Sequence, residues 1–157
     1  MPGLAAQPPL GRAHETGLLE GIRPTKEIEL STVDVVAAHY AASDRGDLDG
    51  MLAPITATTT WTEAEGFPYA GTYTGPDEVR ENVFFAIGKD WDGYTFALAE
   101  LVDGGQTVIG LGHYHATNKK SGRSFTARVA HVWKFDGDTV ASFEQIVDSV
   151  PVAAAID

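Results

Sequence analysis

One histidine in an otherwise apolar stretch is the best candidate in this sequence for a reactive side chain. Residues 123–148 contain two runs typical of paired strands around an Asp-Gly-Asp turn. Side chains alternate between the two faces of a strand, so His131 and Trp133 lie on one face. Val129 and Phe135 complete that face, and both are apolar. Such an imidazole is either a buried polar group bonded to a neighbouring carbonyl or the reactive end of a pocket.

A second histidine pattern raises the question of a metal. His113 and His115 alternate along a predicted strand and therefore share a face. Together with His131 on a nearby strand, three imidazoles could hold zinc or iron. The register of the turn near Lys119 decides whether the faces coincide, because a shift of one residue exchanges them. We expect the pair on the outer face of the sheet and no metal in the site.

The composition narrows the classes of partner. The chain has 157 residues, which is enough for one domain that buries about two thirds of its unfolded surface. Its formal net charge of −11 argues against nucleic acid, whose phosphates need a basic face, and against docking on an anionic membrane. The absence of cysteine excludes disulfides, thiolate catalysis and thiolate metal sites. A small neutral or apolar molecule is the ligand most compatible with this composition and net charge.

The N-terminal region differs from the rest of the chain. Residues 1–30 hold half of the eight prolines and show no sustained periodicity, so we predict an extension that is flexible or strapped along the surface. The first residues lack a basic segment followed by an unbroken apolar stretch, and no apolar run approaches the roughly 20 residues of a membrane span. These features predict a cytoplasmic protein.

Regular structure is predicted to begin at Ser31. Ser31 and Asp34 have the spacing of a capping box, although Glu or Gln is the usual residue at the second position. Apolar residues then recur at helical spacing until Gly46, which is typical of a helix end. Downstream we predict a short helix over residues 47–54, a threonine-rich strand over 55–63, a loop over 65–75 and a third helix over 76–88.

The second half of the chain has the pattern of an antiparallel sheet. Four runs rich in β-branched and aromatic residues are separated by turns that contain glycine. These predicted strands cover residues 94–102, 107–117, 124–135 and 139–147. Helices first and a hairpin-connected sheet last predict an α+β fold, with the helices packed on one face of the sheet.

Short motifs along the chain carry a family resemblance. They are Gly46-Asp47, Trp61, Pro68-Tyr69-Ala70-Gly71, Tyr73-Thr74-Gly75-Pro76, His131-Val132-Trp133 and Asp148. With this order of elements, residues 31–149 resemble the SnoaL-like branch of the nuclear transport factor 2 superfamily, which also includes ketosteroid isomerases and polyketide cyclases. The resemblance implies a cystatin-like conical half-barrel, in which a curved antiparallel sheet wraps the N-terminal helices around a deep apolar pocket. It also implies a homodimer formed through the outer sheet face, and it leaves residues 150–157 as a C-terminal tail.

The resemblance implies roles for particular residues. The ketosteroid isomerase base falls on Glu63, and a carboxylate desolvated in an apolar pocket has a raised pKa that suits proton abstraction. A solvent-exposed Glu63 at the strand end is the alternative. The acidic oxyanion donor falls on His131, and the tyrosine donor falls near His39, with Tyr40 next to it. The aspartate that partners the histidine in polyketide cyclases falls on Gln145, which can orient a substrate but cannot shuttle a proton.

Aromatic residues are the candidate walls of this pocket. Trp61, Tyr69 and Trp133 are proposed to contact the substrate, although an aromatic side chain on a strand is more often part of the core. With no phosphate-binding loop in the chain, we expect no cofactor.

The predicted function combines these expectations. Glu63 and His131 would catalyse a cofactor-free isomerisation, cyclisation or dehydration of a hydrophobic carbonyl or polyketide-like compound. The alternative is a domain of the same fold that binds a small ligand, or assembles as a dimer, without catalysis.

Overall fold

A six-stranded sheet is the largest element of the fold. The computed structural model describes residues 30–157, so the extension predicted for residues 1–30 lies outside the described residues except for its last position. The strands follow the order β2-β1-β6-β5-β4-β3, and β1 runs parallel to β6 while every other neighbouring pair is antiparallel. Their bounds are β1 Thr60–Glu63, β2 Gly71–Thr74, β3 Trp91–Gly104, β4 Thr107–Asn118, β5 Ser124–Asp136 and β6 Thr139–Val147.

The helices precede the four long strands, apart from one at the C-terminus. They are α1 Thr32–Asp44, α2 Leu48–Leu52, α3 Gly75–Val79, α4 Phe85–Asp90 and α5 Ser149–Ile156. A π-helical turn over Arg80–Phe84 joins α3 to α4. Two register irregularities in β3 bend that edge of the sheet, because a bulge adds local twist. The predicted α+β class, with a curved sheet that does not close, is confirmed.

The first helix begins and ends where the sequence predicts. The Asp34 N–H donates to Ser31 Oγ at 3.3 Å, and the Ser31 N–H donates to the Asp34 carboxylate at 3.2 Å, which completes the capping box. After the last turn, Gly46 has a φ of 70°, a left-handed conformation that glycine adopts without steric cost. These caps define the length of α1, and Val36 and Tyr40 on its buried face pack towards the sheet.

Alternation along the central strands separates the inner face of the sheet from its outer face. Every second side chain of β5 is buried, and His131 and Trp133 belong to that buried set as predicted. On β4 the same period leaves His113 and His115 exposed and buries Tyr114 between them. Because Gly110 pairs with His131 across the ladder, Tyr114 and His131 lie on the same inner face.

Several predicted boundaries are wrong, and local hydrogen bonds explain the first of them. The strand predicted from residue 55 begins only at Thr60, since the Thr56 N–H donates to Thr59 Oγ1 at 2.9 Å in a turn that competes with the sheet. The predicted loop over residues 65–75 contains β2, which pairs with β1. The third helical segment continues past Gly88 and ends at Asp90.

The residues predicted as a C-terminal tail form α5. Asp148 Oδ1 accepts a hydrogen bond from the Val150 N–H at 3.4 Å at the start of this helix. Val152 and Ala155 are buried, and the helix packs against β5 and β4. Within residues 30–157, no helix combines the length and the apolar character needed to cross a membrane.

Candidate active site

A cavity of about 370 Å³ lies between the helices and the inner face of the sheet. Side chains from α1, α2, the π-helical turn and α4 form one side, and residues of β1 and β3 to β6 form the other. Six of the eight residues predicted for the site line this cavity, namely His39, Tyr40, Trp61, Glu63, His131 and Gln145. The fold therefore brings together residues that are up to 106 positions apart in the chain.

Glu63 is the acidic residue of the cavity. It ends β1, where alternation places it on the same buried face as Trp61, and it is only 4% exposed. One carboxylate oxygen, Oε1, accepts a hydrogen bond from the Trp61 indole N–H at 2.7 Å, and Oε2 is buried without a hydrogen-bond partner. Burial raises the pKa of Glu63 to about 7, against an ordinary value of 4.5, and the Trp61 hydrogen bond offsets part of this shift. The alternative of a solvent-exposed Glu63 is wrong.

His131 lies between two tyrosine hydroxyls. Its Nδ1 is 2.8 Å from Tyr40 Oη on α1, and its Nε2 is 2.6 Å from Tyr114 Oη on β4. The ring of Phe96 stacks on the imidazole with centroids 4.6 Å apart. Burial holds the pKa of His131 well below its usual range, and nearby His39 lowers it further, so the imidazole is neutral at pH 7.

Two further side chains extend this network of hydrogen bonds between Tyr40, His131 and Tyr114. The Trp133 indole N–H donates to Tyr40 Oη at 3.1 Å, and the Gln145 amide N–H donates to Tyr114 Oη at 3.0 Å. Gln145 is itself oriented, because its Oε1 accepts from the Ala64 backbone N–H at 3.1 Å. Both phenol oxygens thus accept one hydrogen bond from a donor that cannot reverse its direction.

A count of the N–H and O–H hydrogens shows how many hydrogen bonds the network of Tyr40, His131 and Tyr114 can donate to a ligand. Neutral His131 carries one N–H, and Tyr40 and Tyr114 carry one O–H each. The two contacts of the imidazole use two of these three hydrogens, so one phenolic hydrogen stays free. It belongs to Tyr40 in one tautomer of His131 and to Tyr114 in the other. Because both tyrosines line the cavity, the free phenolic hydroxyl can donate one hydrogen bond to a ligand oxygen.

His39 and Tyr40 have different tasks. His39 Nδ1 lies 2.8 Å from the Met51 carbonyl oxygen, which requires a hydrogen on that nitrogen. Burial lowers the pKa of His39 to about 4, so this ring is also neutral at pH 7. Tyr40, rather than His39, is the first-helix residue that contacts His131.

Two predicted pocket walls do not line the cavity. The Tyr69 hydroxyl donates to an Asp90 carboxylate oxygen at 2.7 Å and accepts from the Trp91 indole at 3.1 Å, which holds the ring to one side. Trp133 is fully buried and supports Tyr40 by the hydrogen bond already described. Hydrogen bonds to Asp90, Trp91 and Tyr40 thus fix both side chains outside the cavity lining.

The three-histidine metal site is wrong as well. His113 and His115 are exposed on the outer face of β4, and His131 is buried on the inner face of β5. No group of three His, Cys, Asp or Glu residues within the described part of the chain has a geometry that could hold a metal ion.

Several cavity residues were not selected from the sequence. Tyr114 had a usable signal, because the alternation that puts His113 and His115 outside puts the residue between them inside. Tyr94 and Phe96 had no comparable signal, since the register of β3 shifts between Asp92 and Thr95. Tyr94 also brings a further buried hydroxyl to the cavity.

Comparison with known proteins agrees with the fold described above. The family model described as SnoaL-like domain matches residues 36–143, and the chain belongs to this family. No protein with curated annotation matches the sequence significantly.

Three solved structures illustrate the similarity. An NTF2-like protein from Burkholderia thailandensis E264 is 49% identical, with 82% of this chain and 99% of that chain covered and a TM-score of 0.81. An NTF2-like protein of unknown function from Burkholderia pseudomallei K96243 is 28% identical, with coverages of 81% and 98% and a TM-score of 0.73. TerC, co-crystallised with polyporic acid, is 24% identical, with coverages of 80% and 97% and a TM-score of 0.71.

The close approach of Tyr40 to β4 leads to a first prediction. A Cβ atom at Gly110 would collide with Tyr40 Oη, so Gly110→Ala should displace the hydroxyl from His131 and Trp133. We expect the free energy of unfolding to fall by roughly 1–3 kcal/mol, measured by urea unfolding. Gly88→Ala is the matched control, because its Cβ would meet open space within a helix, and it should be neutral or stabilising by up to about 1 kcal/mol. Unchanged stability of Gly110→Ala would contradict the described packing.

The burial of Glu63 predicts a particular dependence of stability on pH. Its folded-state pKa of about 7 exceeds the ordinary value of 4.5, so between these pH values the folded protein holds a proton that the unfolded chain releases. The free energy of unfolding of the wild type, relative to Glu63→Gln, should therefore decline by up to about 3 kcal/mol from pH 4.5 to pH 7 and stay constant above.

Urea unfolding of both proteins across this pH range measures the effect. Glu65→Gln serves as the control for the replacement of a carboxylate by an amide, because Glu65 is exposed and close to Glu63 in sequence. A Glu63→Gln difference that is independent of pH would show that Glu63 titrates normally.

Proposed function

We propose that this protein is a small-molecule enzyme that catalyses proton transfer on a hydrophobic carbonyl compound without a cofactor. One observation carries the proposal: a buried carboxylate with an unpartnered oxygen shares a cavity with a neutral phenol–imidazole chain that has one free hydroxyl hydrogen. The first group is suited to accept a proton, and the second is suited to stabilise a negative oxygen.

The proposed chemistry begins with enolisation. Glu63 Oε2 removes a proton from the carbon next to the carbonyl, and the electron pair of that C–H bond moves towards the carbonyl oxygen. The free hydroxyl of Tyr40 or Tyr114 donates to this oxygen as it becomes negative, while His131 relays the hydrogen between the two phenols. Return of the proton from Glu63 to another carbon completes an isomerisation. In a dehydration the β-hydroxyl would take up this proton and leave as water, and in a cyclisation the alkoxide formed by attack of the enolate on a second carbonyl would take it up.

The carboxylate is tuned for this role by its surroundings. A base works best when its pKa is close to the working pH, and burial brings the pKa of Glu63 to about 7. The oxygen that bonds to Trp61 is oriented, and the other oxygen remains available.

Gln145 distinguishes the proposed mechanism from the histidine–aspartate pair of polyketide cyclases. Its amide cannot exchange a proton, and both of its polar atoms are engaged with Ala64 and Tyr114. We therefore assign it to the orientation of Tyr114, with Glu63 as the base.

The size and lining of the cavity support an organic substrate. A cavity of about 370 Å³ lies within the range of small-molecule sites, and its lining is mostly aromatic and aliphatic. TerC, a protein of the same fold, has been co-crystallised with polyporic acid. We propose that the substrate here is a hydrophobic organic compound small enough for this cavity.

A second candidate function is ligand binding without conversion. The observation that favours it is the mutual hydrogen bonding of His131, Tyr40 and Tyr114, which also stabilises the core without any catalytic role. Catalytic and non-catalytic binding differ in whether the bound carbonyl compound exchanges protons with solvent.

Deuterium exchange of 2-tetralone, a bicyclic ketone with acidic α-protons, tests the enzyme proposal. We expect the wild type to accelerate exchange in D₂O, followed by NMR, with a rate that rises as the pH passes about 7 because the carboxylate is the active form. Glu63→Gln should lower the enzymatic rate at least about tenfold, and His131→Ala should have an effect of similar size.

Controls separate chemistry from folding in this experiment. Glu65→Gln should retain the wild-type rate, because this side chain is exposed and does not line the cavity. Circular dichroism should show that the variants are folded. Binding of 2-tetralone to the wild type without any acceleration of exchange would favour the ligand-binding alternative.

We also propose that two copies associate through the outer face of the sheet. An apolar stripe crosses β4, β5 and β6 on that face and comprises Ile109, Leu111, Ala130, Val132 and Ile146. Ile146 is 54% exposed in the single chain. Covering such a stripe with a second copy would remove apolar surface from water.

Native mass spectrometry tests this association. The wild type should appear as a dimer, and Ile146→Asp should shift it towards the monomer, because a charge would have to be buried in the interface. Val150→Asp is the matched control, since Val150 is 75% exposed on α5, and it should leave the dimer unchanged. A monomeric wild type would exclude this assembly.

A further inference from the structure

The cavity has an unusual balance of charge. Its lining contains many aromatic rings, among them Trp61, Trp91, Tyr94, Phe96, Tyr114 and Phe143. Glu63 is the only acidic residue among the lining residues, and none of them is lysine or arginine. The faces of aromatic rings carry a partial negative charge, so a cation that meets a ring face is attracted, and the lining contains no lysine or arginine that would repel it.

Glu63 has no counter-ion among the residues that the structure describes. None of the ion pairs found within residues 30–157 includes it, and its only hydrogen bond comes from the neutral Trp61 indole. A buried carboxylate without a counter-ion is costly, and its Oε2 is left without a donor. The ionised form of Glu63 would therefore be stabilised by a cation that enters the cavity.

The histidines of the cavity do not supply that cation. His39 donates to the Met51 carbonyl, and His131 is held between two phenols; burial keeps the pKa of both rings low, so both are neutral at pH 7. At that pH the cavity lining contains one group that can be negative and none that is positive.

We propose that the cavity binds hydrophobic ammonium ions, with Glu63 as their counter-ion and the surrounding ring faces as the contact surface. The inference rests on the same cavity and the same carboxylate as the proposed function. An ammonium group over an aromatic face gains cation–π attraction, which is strongest where water is excluded. The formal net charge of −11 also favours the approach of cations over anions.

Such a ligand differs from a neutral carbonyl substrate in its effect on Glu63. A bound cation stabilises the carboxylate and occupies the space next to Oε2, so it blocks the removal of a proton from a second molecule. Hydrophobic ammonium compounds should therefore compete with carbonyl compounds for the cavity.

A pair of isosteric probes isolates the charge. The cation 3-hydroxyphenyltrimethylammonium and the neutral 3-tert-butylphenol have nearly the same shape, and calorimetric titration gives the affinity of each. We expect the wild type to bind the ammonium compound at least about tenfold more tightly than the neutral compound. In Glu63→Gln the ratio of the two affinities should fall close to one, whereas Glu65→Gln should keep the wild-type ratio.

Three outcomes would overturn the inference. They are equal or tighter binding of the neutral compound by the wild type, a preference for the cation that survives in Glu63→Gln, and no binding of the ammonium compound at millimolar concentrations. A thermal unfolding measurement on each variant shows that a lost preference is not a lost fold.

The exchange experiment keeps this inference separate from the proposed function. Exchange of 2-tetralone by the wild type, without any preference for the ammonium compound, overturns the cation site and leaves the enzyme proposal in place. Preference for the ammonium compound without exchange supports the cation site and argues against the enzyme proposal.

Discussion

The two hydrogen bonds of His131 connect the first helix to the centre of the sheet, and the arrangement of the cavity depends on them. Tyr40 reaches the imidazole from α1, and Tyr114 reaches it from β4. Trp133 and Gln145 fix the two phenol oxygens from behind. Buried polar groups are costly when a partner is missing, so loss of one member would leave its neighbours unsatisfied. The hydrogen bonds among Tyr40, His131 and Tyr114 therefore strongly constrain how α1 packs on the sheet.

Glu63 is the opposite case within the same cavity. One of its oxygens has no partner, and its pKa of about 7 records the cost of burying its charge. Stability alone does not account for a carboxylate in this position, because a neutral side chain would avoid that cost. Groups that reduce stability in this way are characteristic of functional sites, where a bound ligand provides the missing hydrogen-bond donor or counter-ion. Both the proposed proton transfer and the proposed cation site use this one property.

The location of several cavity residues could be predicted from the sequence for a physical reason. His131 was assigned to the inner face from strand alternation, and alternation depends only on the backbone. Glu63 and Gln145 were selected through the family resemblance, and both line the cavity. Tyr69 and Trp133 were selected as aromatic pocket walls, and neither lines the cavity. Their catalytic and binding roles remain predictions that the experiments above address.

What the sequence determined by itself is therefore periodic or local. The helix caps at Ser31 and Gly46, the burial of His131 and the α+β order of elements follow from short-range patterns. Only the tertiary structure decided which side chains meet, because Tyr40 and His131 are 91 residues apart and no local rule sets their distance. The environment of Glu63 was decided in the same way, since desolvation and the missing partner of Oε2 arise from rings contributed by several distant strands.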